Sequence, residues 1–407
     1  MKYIVILGDG MADYPVGALG GKTPLEKAHK PNIDALARVS ETGLCKTIPD
    51  GMKPGSDVAN LSVLGYDPAR YYTGRSPLEA ASIGIALKDT DLTLRANLVT
   101  LSGGDAFETM TMEDYSAGEI STAEAKTLVN CLAERLGNET LKLYAGVSYR
   151  HCLVVENGKN DAEFTPPHDI SGRKIEGYLP KGAGGAFYLD VMKRSYELLK
   201  DHPVNVKRIK EGKRPATSLW FWGAGRKPAL DAFEEKFGKK GTMISAVDLL
   251  KGIGKLTGMN VPDVAGATGN YDTDYGGKAR AALRALDGGS DFCYIHIEAP
   301  DECGHQGDLA HKIFSIEQID EKVVGFLKRE LDKRGEAYSL LVMPDHPTPV
   351  AVKTHVADPV PYLLYRSDEE KSGAAEYSER AAKKSGIFVP RGCELMKRFL
   401  NAPVEKR

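Results

Sequence analysis

The feature of this sequence that most constrains its fold is a strand and helix rhythm that occurs at both ends of the chain and is interrupted between them. Residues 3–7 are a β-rich apolar run stopped by Gly8, and residues 31–40 read as a helix with Pro31 in its first turn and Gly43 beyond its end. Late in the chain, residues 291–297 (DFCYIHI) read as a strand. Residues 312–332 then carry Ile313, Ile316, Ile319, Val323 and Leu327 at helical spacing, and residues 338–343 read as another strand. Strand, helix, strand implies a mainly parallel sheet flanked by helices, the α/β class. The middle differs: residues 91–100 (DLTLRANLVT) and 149–156 (YRHCLVVE) read as strands around a helical stretch at 122–136, which points to a smaller α+β insertion. Gly- and Pro-rich segments at 74–77 and 202–215 mark its edges. They divide the chain into a discontinuous core, 1–76 and 215–407, and an inserted domain, 77–214.

A chain of 407 residues, 42% hydrophobic and 27% charged, has enough apolar mass for more than one core. Lys and Arg number 54 against 56 for Asp and Glu, and no segment concentrates the basic residues, so nucleic acid and polyanion surfaces are not expected as partners. The six cysteines are scattered without a C-x-x-C pair or a disulfide-framework spacing, which fits a reducing cytoplasm. The apolar run at the start is too short for a signal sequence or a membrane span.

Four segments far apart in sequence place Asp or His after a strand, where the loops at the carboxyl edge of an open α/β sheet gather around ligands. They contribute Asp9, the pair Asp301 and His305, the pair Asp345 and His346, and His355. Carboxylate and imidazole together suit Mn²⁺ or Zn²⁺, whereas Mg²⁺ favours oxygen alone. The spacing of Asp301 and His305 lets a single turn offer both to one ion, with Gly304 allowing a tight backbone. A single Asp/His pair of this kind is as well explained by a solvated turn; the set of four is not.

In PGSDVANLSVLGYDP, residues 54–68, Ser56 follows a glycine and opens an apolar helix. A helix N-terminus stabilises a phosphate carried on such a hydroxyl or attacked by it, but a serine needs a base or a metal ion to become a good nucleophile. Ser56 could equally be an ordinary N-cap. The segment 17–23 (GALGGKT) resembles a phosphate-binding P-loop but fails its spacing, because Val16 stands where the motif requires glycine.

Taken together, these segments resemble the alkaline phosphatase superfamily, and within it the archaeal-type branch of cofactor-independent phosphoglycerate mutases. The resemblance rests on ILGDGMAD, PGSDVANLSVLGYDP, YYTGRSPLEAASIGI, TPPHDISG, SLWFWGAGRKP, GATGNYDTDYGGKA, EAPDECGHQGD and MPDHPTPVAVKTH, and covers nearly the whole chain. It implies an alkaline-phosphatase-like core with an inserted lid, and interconversion of 3-phosphoglycerate and 2-phosphoglycerate through a phosphoserine on Ser56, without 2,3-bisphosphoglycerate. It also implies two divalent ions, one held by Asp9, Ser56, Asp345 and His346, the other by Asp301, His305 and His355. The lid would bind the substrate's anionic groups, with Arg75, Arg150, Arg173 and Arg214 as candidates, His168 and Asp169 as glycerate contacts, and Lys278 as a further cation. His29, His202 and His311 have no motif context. The rival readings are a metal-dependent phosphatase, or a homoserine-kinase-like or phosphopentose-mutase-like transferase, on the same ligands. A metal-binding structural protein would have no use for Ser56.

Overall fold

The computed structural model describes residues 1–369 and 371–401; the last six positions of the core segment expected from sequence lie outside the described residues. The chain forms two compact units, one made of Met1–Tyr72 together with the chain from Ala229 onward, the other of Thr73–Pro228. None of the helices among the described residues is long and apolar enough to cross a membrane.

The first unit is built on a sheet of seven strands in the order Gly241–Ile244, Phe292–Ile297, Lys2–Gly8, Tyr338–Met343, Val360–Arg366, Glu41–Cys45, Phe388–Val389. The first four run parallel, as the sequence pattern implies. Val360–Arg366 then runs antiparallel to both of its neighbours, and Phe388–Val389 runs parallel to Glu41–Cys45. Lys2–Gly8 is paired on both sides and all but its first residue are buried, which explains its unbroken apolar run. Its core gathers Ile4, Ile6, Ile295, Ile297, Leu340 and Val342 with Ile316, Val323 and Leu327 from the helical side.

The helix expected over 312–332 is not one regular helix. Leu309–Gln318 and Phe326–Arg334 are α-helical, and Ile319–Gly325 between them widens into a π-helix. In that stretch Asp320 accepts hydrogen bonds from the backbone N–H of Asn32 and of Ile33, at 3.3 and 2.7 Å, in the first turn of the helix Pro31–Ala37. The carboxylate satisfies donors that a helix cannot satisfy itself. A Cβ on Gly325 would lie 2.7 Å from the Asn32 side chain, so a larger residue there would have to push Asn32 off its hydrogen bond to Asp320.

The charged segment 367–385, which composition alone marks as exposed, is anchored in part. Tyr377 is fully buried and donates to the Pro361 carbonyl at 2.8 Å, and Glu379 accepts from the Asp13 N–H and the Thr23 hydroxyl. Lys312 is also fully buried. Its ammonium donates to Asp13 Oδ2 at 2.8 Å and to the carbonyls of Thr348 and Ala12 at 2.7 and 3.3 Å. Replacing one partner of such a pair leaves the other charge stranded, so Lys312→Met is expected to lose about 3–5 kcal/mol of stability in denaturant unfolding. A loss below about 1 kcal/mol would mean that Asp13 finds other compensation.

The second unit is an antiparallel sheet around the long strand Leu92–Ser102, which pairs with Thr111–Asp114, Arg150–Val155 and Ser218–Arg226; Leu141–Tyr144 pairs with Arg150–Val155. Ser218–Arg226 runs beside Leu92–Val99, which is why this unit continues past residue 214. The helices Thr122–Leu136 and Gly185–Leu199 contribute Leu128, Leu132, Tyr188 and Met192 to its own core with Leu94, Leu98 and Phe221.

Candidate active site

Because Lys2–Gly8, Phe292–Ile297 and Tyr338–Met343 are parallel neighbours in register, the residues that follow them emerge at one edge of the sheet. Asp9, Asp301, Asp345 and His346 meet there, all at least nine-tenths buried. Two groups of ligand atoms lie within 4.8 Å of one another: Asp9, Asp345 and His346; and Asp301, His346 and His355. His346 faces both. Its Nε2 lies 3.5 Å from Asp9 Oδ1 and 3.3 Å from Asp345 Oδ2.

Asp301 and His305 are brought together, though not by a turn. They lie on one face of the helix Ala299–Gln306, four residues apart, with His305 Nε2 3.3 Å from Asp301 Oδ2. Gly304 serves a different purpose from the tight turn expected of it: a Cβ there would stand 2.3 Å from the Thr348 carbonyl, so glycine lets this helix press against the loop after Asp345. His355 Nε2 is 2.9 Å from His305 Nε2 and 3.4 Å from Asp301 Oδ1.

Ser56 is the first residue of the helix Ser56–Val63, and the N-cap is Gly55. The hydroxyl therefore caps nothing. It lies 3.2 Å from His346 Nε2, and the residue is only half-buried, open to a substrate. One turn on, Asn60 donates to Asp345 Oδ2 and to the Ser56 carbonyl, both at 2.8 Å, while accepting from the Tyr294 hydroxyl at 2.6 Å. The helix that begins at Ser56 is thus tied to the loop carrying Asp345 by a satisfied buried amide.

The electrostatics of this cluster favour a bound cation. Burial, then the charges of Asp345 and Asp301, push the Asp9 carboxyl well above the usual range, and its Oδ1 is buried without a hydrogen-bond partner. For Asp301, burial is outweighed by hydrogen bonds from His305 and His355, which hold it well below that range. The same Asp301 contact raises His305 to about 9. His296, buried and lowered to about 3, places Nε2 2.8 Å from Asp9 Oδ2 while Ser245 Oγ meets its Nδ1 at 3.0 Å. A neutral imidazole here orients Asp9 without supplying charge. Three convergent carboxylates, an unpartnered carboxylate oxygen and imidazole nitrogens match the donor set of a divalent transition-metal site.

The second unit holds a cavity of ≈ 220 Å³ lined by Arg75, Arg95, Asn97, Tyr115, Tyr149, His168 and Trp222. Glu79 organises it, accepting from Arg75 Nε at 2.8 Å and pairing with Arg95 Nε at 2.9 Å. Its carboxyl is held below the usual range, the charges of Arg95, Arg75 and Arg150 outweighing burial. Three guanidinium groups around one carboxylate leave two positive charges. Arg95 stacks 4.1 Å over Trp222, whose indole N–H donates to Asn97 at 2.9 Å, and Arg150 lies 4.8 Å over the Tyr149 ring. Planar, preoriented guanidinium groups of this kind suit a carboxylate or phosphate.

Of the candidates from sequence, Arg75 and His168 line this cavity, Arg150 flanks it, and Asp169 lies beside His168 at 3.6 Å. Arg173 donates to the Tyr178 hydroxyl at 3.3 Å and Arg214 to Asp114 at 2.6 Å; neither lines the cavity. Lys278 is buried in the first unit, its ammonium 3.2 Å from the His296 carbonyl and lowered to about 8 by burial, with Glu298 opposing. Arg95, Trp222, Glu79, Asn60 and His296 escaped the sequence reading. Arg95 and His296 did leave a signal, since Arg95 is the one charged residue of its strand and His296 the one imidazole of a mostly apolar strand.

Comparison with known proteins agrees with this arrangement. Residues 37–205 match the family described as 2,3-bisphosphoglycerate-independent phosphoglycerate mutase. A protein of that name from Methanosarcina barkeri is 50% identical over 97% of this chain and 98% of its own length. Another, from Methanothermobacter thermautotrophicus, is 45% identical over 100% of this chain and 99% of its own. Among solved structures, a protein from Pyrococcus horikoshii superposes with a TM-score of 0.83 at 30% identity, covering 100% of this chain and 99% of that one. The cofactor-independent phosphoglycerate mutase from Thermoplasma acidophilum superposes with a TM-score of 0.67 at 27% identity, over 98% and 99%. Near-complete coverage at half identity shows that the chain belongs to the 2,3-bisphosphoglycerate-independent phosphoglycerate mutase family.

Proposed function

We propose that this protein interconverts 3-phosphoglycerate and 2-phosphoglycerate, a step shared by glycolysis and gluconeogenesis, through a phosphoserine on Ser56 and without 2,3-bisphosphoglycerate. The observation that carries this reading is the Ser56 hydroxyl, free of any capping duty and 3.2 Å from His346 Nε2 beside the carboxylate cluster. The names of its relatives supply the substrate pair.

One divalent ion is assigned to Asp9, Ser56, Asp345 and His346, a second to Asp301, His305 and His355. When bound, such ions lower the pKa of the serine hydroxyl and offset the carboxylate charge. Mn²⁺ is the preferred assignment, with Zn²⁺ and Mg²⁺ as alternatives. Ser56 Oγ attacks the phosphorus in line as the bond to the glycerate oxygen breaks, and the N-terminal end of the helix Ser56–Val63 would favour the anionic phosphoryl group. Glycerate then presents its other hydroxyl, which takes the phosphoryl group back and frees the serine.

Glycerate must be retained throughout, because water reaching the phosphoserine would release phosphate instead. We assign the second unit this role as a lid, its arginine cavity holding the substrate carboxylate or phosphate. Lys278 is a further cation for the substrate. All six cysteines are free thiols, which supports a reducing, cytoplasmic setting.

The test is incubation of purified protein with 3-phosphoglycerate and Mn²⁺, without 2,3-bisphosphoglycerate, following 2-phosphoglycerate and free phosphate together. The expected product is 2-phosphoglycerate with little free phosphate. Phosphate as the main product would make the protein a phosphatase.

A further inference from the structure

Thr348 is fully buried between the two ligand groups and touches both. Its hydroxyl donates to Asp301 Oδ1, and the same oxygen lies 3.2 Å from His346 Nδ1. A hydroxyl carries one hydrogen, and an ionised carboxylate accepts only, so the hydrogen goes to Asp301. The Thr348 oxygen must then accept from His346, which places the imidazole proton on Nδ1. That leaves the lone pair on Nε2, the nitrogen that faces Ser56, Asp9 and Asp345 at 3.2, 3.5 and 3.3 Å.

We infer that Thr348 is a positioning residue that sets the tautomer of His346 and couples the two ligand groups through one hydroxyl, an inference that rests on the metal site proposed above. The surroundings give Thr348 no freedom. Its carbonyl accepts from the buried Lys312 ammonium at 2.7 Å, and its N–H donates to the Ala12 carbonyl at 3.3 Å. A Cβ on Gly10 would lie 2.6 Å from the Thr348 hydroxyl oxygen, and one on Gly304 would lie 2.8 Å from its methyl group, so glycines close on it from the loop after Lys2–Gly8 and from the helix Ala299–Gln306. A hydroxyl fixed to this degree imposes one hydrogen-bond direction on its partners, and a wrong tautomer at His346 would turn an N–H toward the ion instead of a lone pair.

The test uses the full-length protein as wild type, Thr348→Val and Thr348→Ser, with Mn²⁺ affinity measured by calorimetry and the His346 tautomer by ¹⁵N NMR on metal-free protein. Valine keeps the shape and loses the hydroxyl. It is expected to weaken Mn²⁺ binding by about 10–100-fold and to let the Nε2–H tautomer appear, whereas serine stays within about threefold of wild type. Wild-type affinity in Thr348→Val would overturn the assignment, as would a serine variant as weak as valine, since the loss would then follow the methyl group. The tautomer of His346 in the wild type needs no variant: an Nε2–H form there also overturns it. A wild-type protein that takes up no Mn²⁺ at all would remove the metal site itself, and this role with it.

Discussion

Ser56→Ala is expected to lower turnover of 3-phosphoglycerate by roughly 10⁴–10⁶-fold, the scale on which enzymes lose activity when a covalent nucleophile is deleted. The fold should hardly register the change. Gly55, not Ser56, is the N-cap, so deleting the hydroxyl removes no helix cap, and among the described residues the hydroxyl meets His346 Nε2. The variant should therefore unfold within about 1 kcal/mol of wild type. Metal uptake should be weakened but not abolished, because Asp9, Asp345 and His346 remain. Incubation with ³²P-labelled substrate followed by acid quench should label the wild type and leave the variant unlabelled. Near-normal turnover in Ser56→Ala would exclude the phosphoserine route, and an unfolded variant would show that the hydroxyl has a structural duty which its surroundings do not reveal.

Removing divalent metal is expected to abolish activity, with Mn²⁺ restoring it. The physical ground is the charge of the cluster. Asp9, Asp301 and Asp345 converge in a buried setting where His296, beside Asp9, and His346 are both held down by burial, and Asp9 Oδ1 has no hydrogen-bond partner among the described residues. Without an ion, either carboxylates protonate or the loops spread, and both degrade the geometry around Ser56. The same argument predicts that metal stabilises the folded protein, by about 2.7 kcal/mol at a concentration a hundred times the dissociation constant. Thermal unfolding with and without chelator reads this directly, and it is independent of any substrate. Full activity after thorough chelation would eliminate the two-ion site. Loss of activity with no change in unfolding would place the metal requirement elsewhere than this buried cluster.

Much of the site could be read from the chain because its ligands occupy the positions that a parallel sheet makes functional. Asp9 and Asp345 each follow an apolar run, and the runs themselves identify the strands. Ser56 was visible as a candidate but not as a decision, since a serine before an apolar helix is as good a cap as a nucleophile. The structure adds that Gly55 occupies the cap position, so capping does not account for the Ser56 hydroxyl. The arginines were harder. Arg173 and Arg214 lie in sequence contexts as suggestive as those of Arg75, yet they pair with Tyr178 and Asp114, while Arg95, within a buried strand, lines the cavity. Side-chain direction across a strand and the choice of ion-pair partner depend on neighbours far away in sequence.

By itself the sequence determined the α/β class, the strands and helices that frame the site, and the residue types able to hold a divalent ion, because hydrophobic periodicity and ligand chemistry are local properties. Tertiary structure alone decided the rest. The widened helix at Ile319–Gly325, the burial of Tyr377 in a charged segment, and the position of His346 facing both ligand groups involve contacts with Asn32, Asp34 and Asp9, near the other end of the chain. Thr348 shows the reason most clearly: nothing in its own neighbourhood marks it, and its importance arises when Asp301, His346, Gly10, Gly304 and Lys312 converge on one hydroxyl-bearing residue.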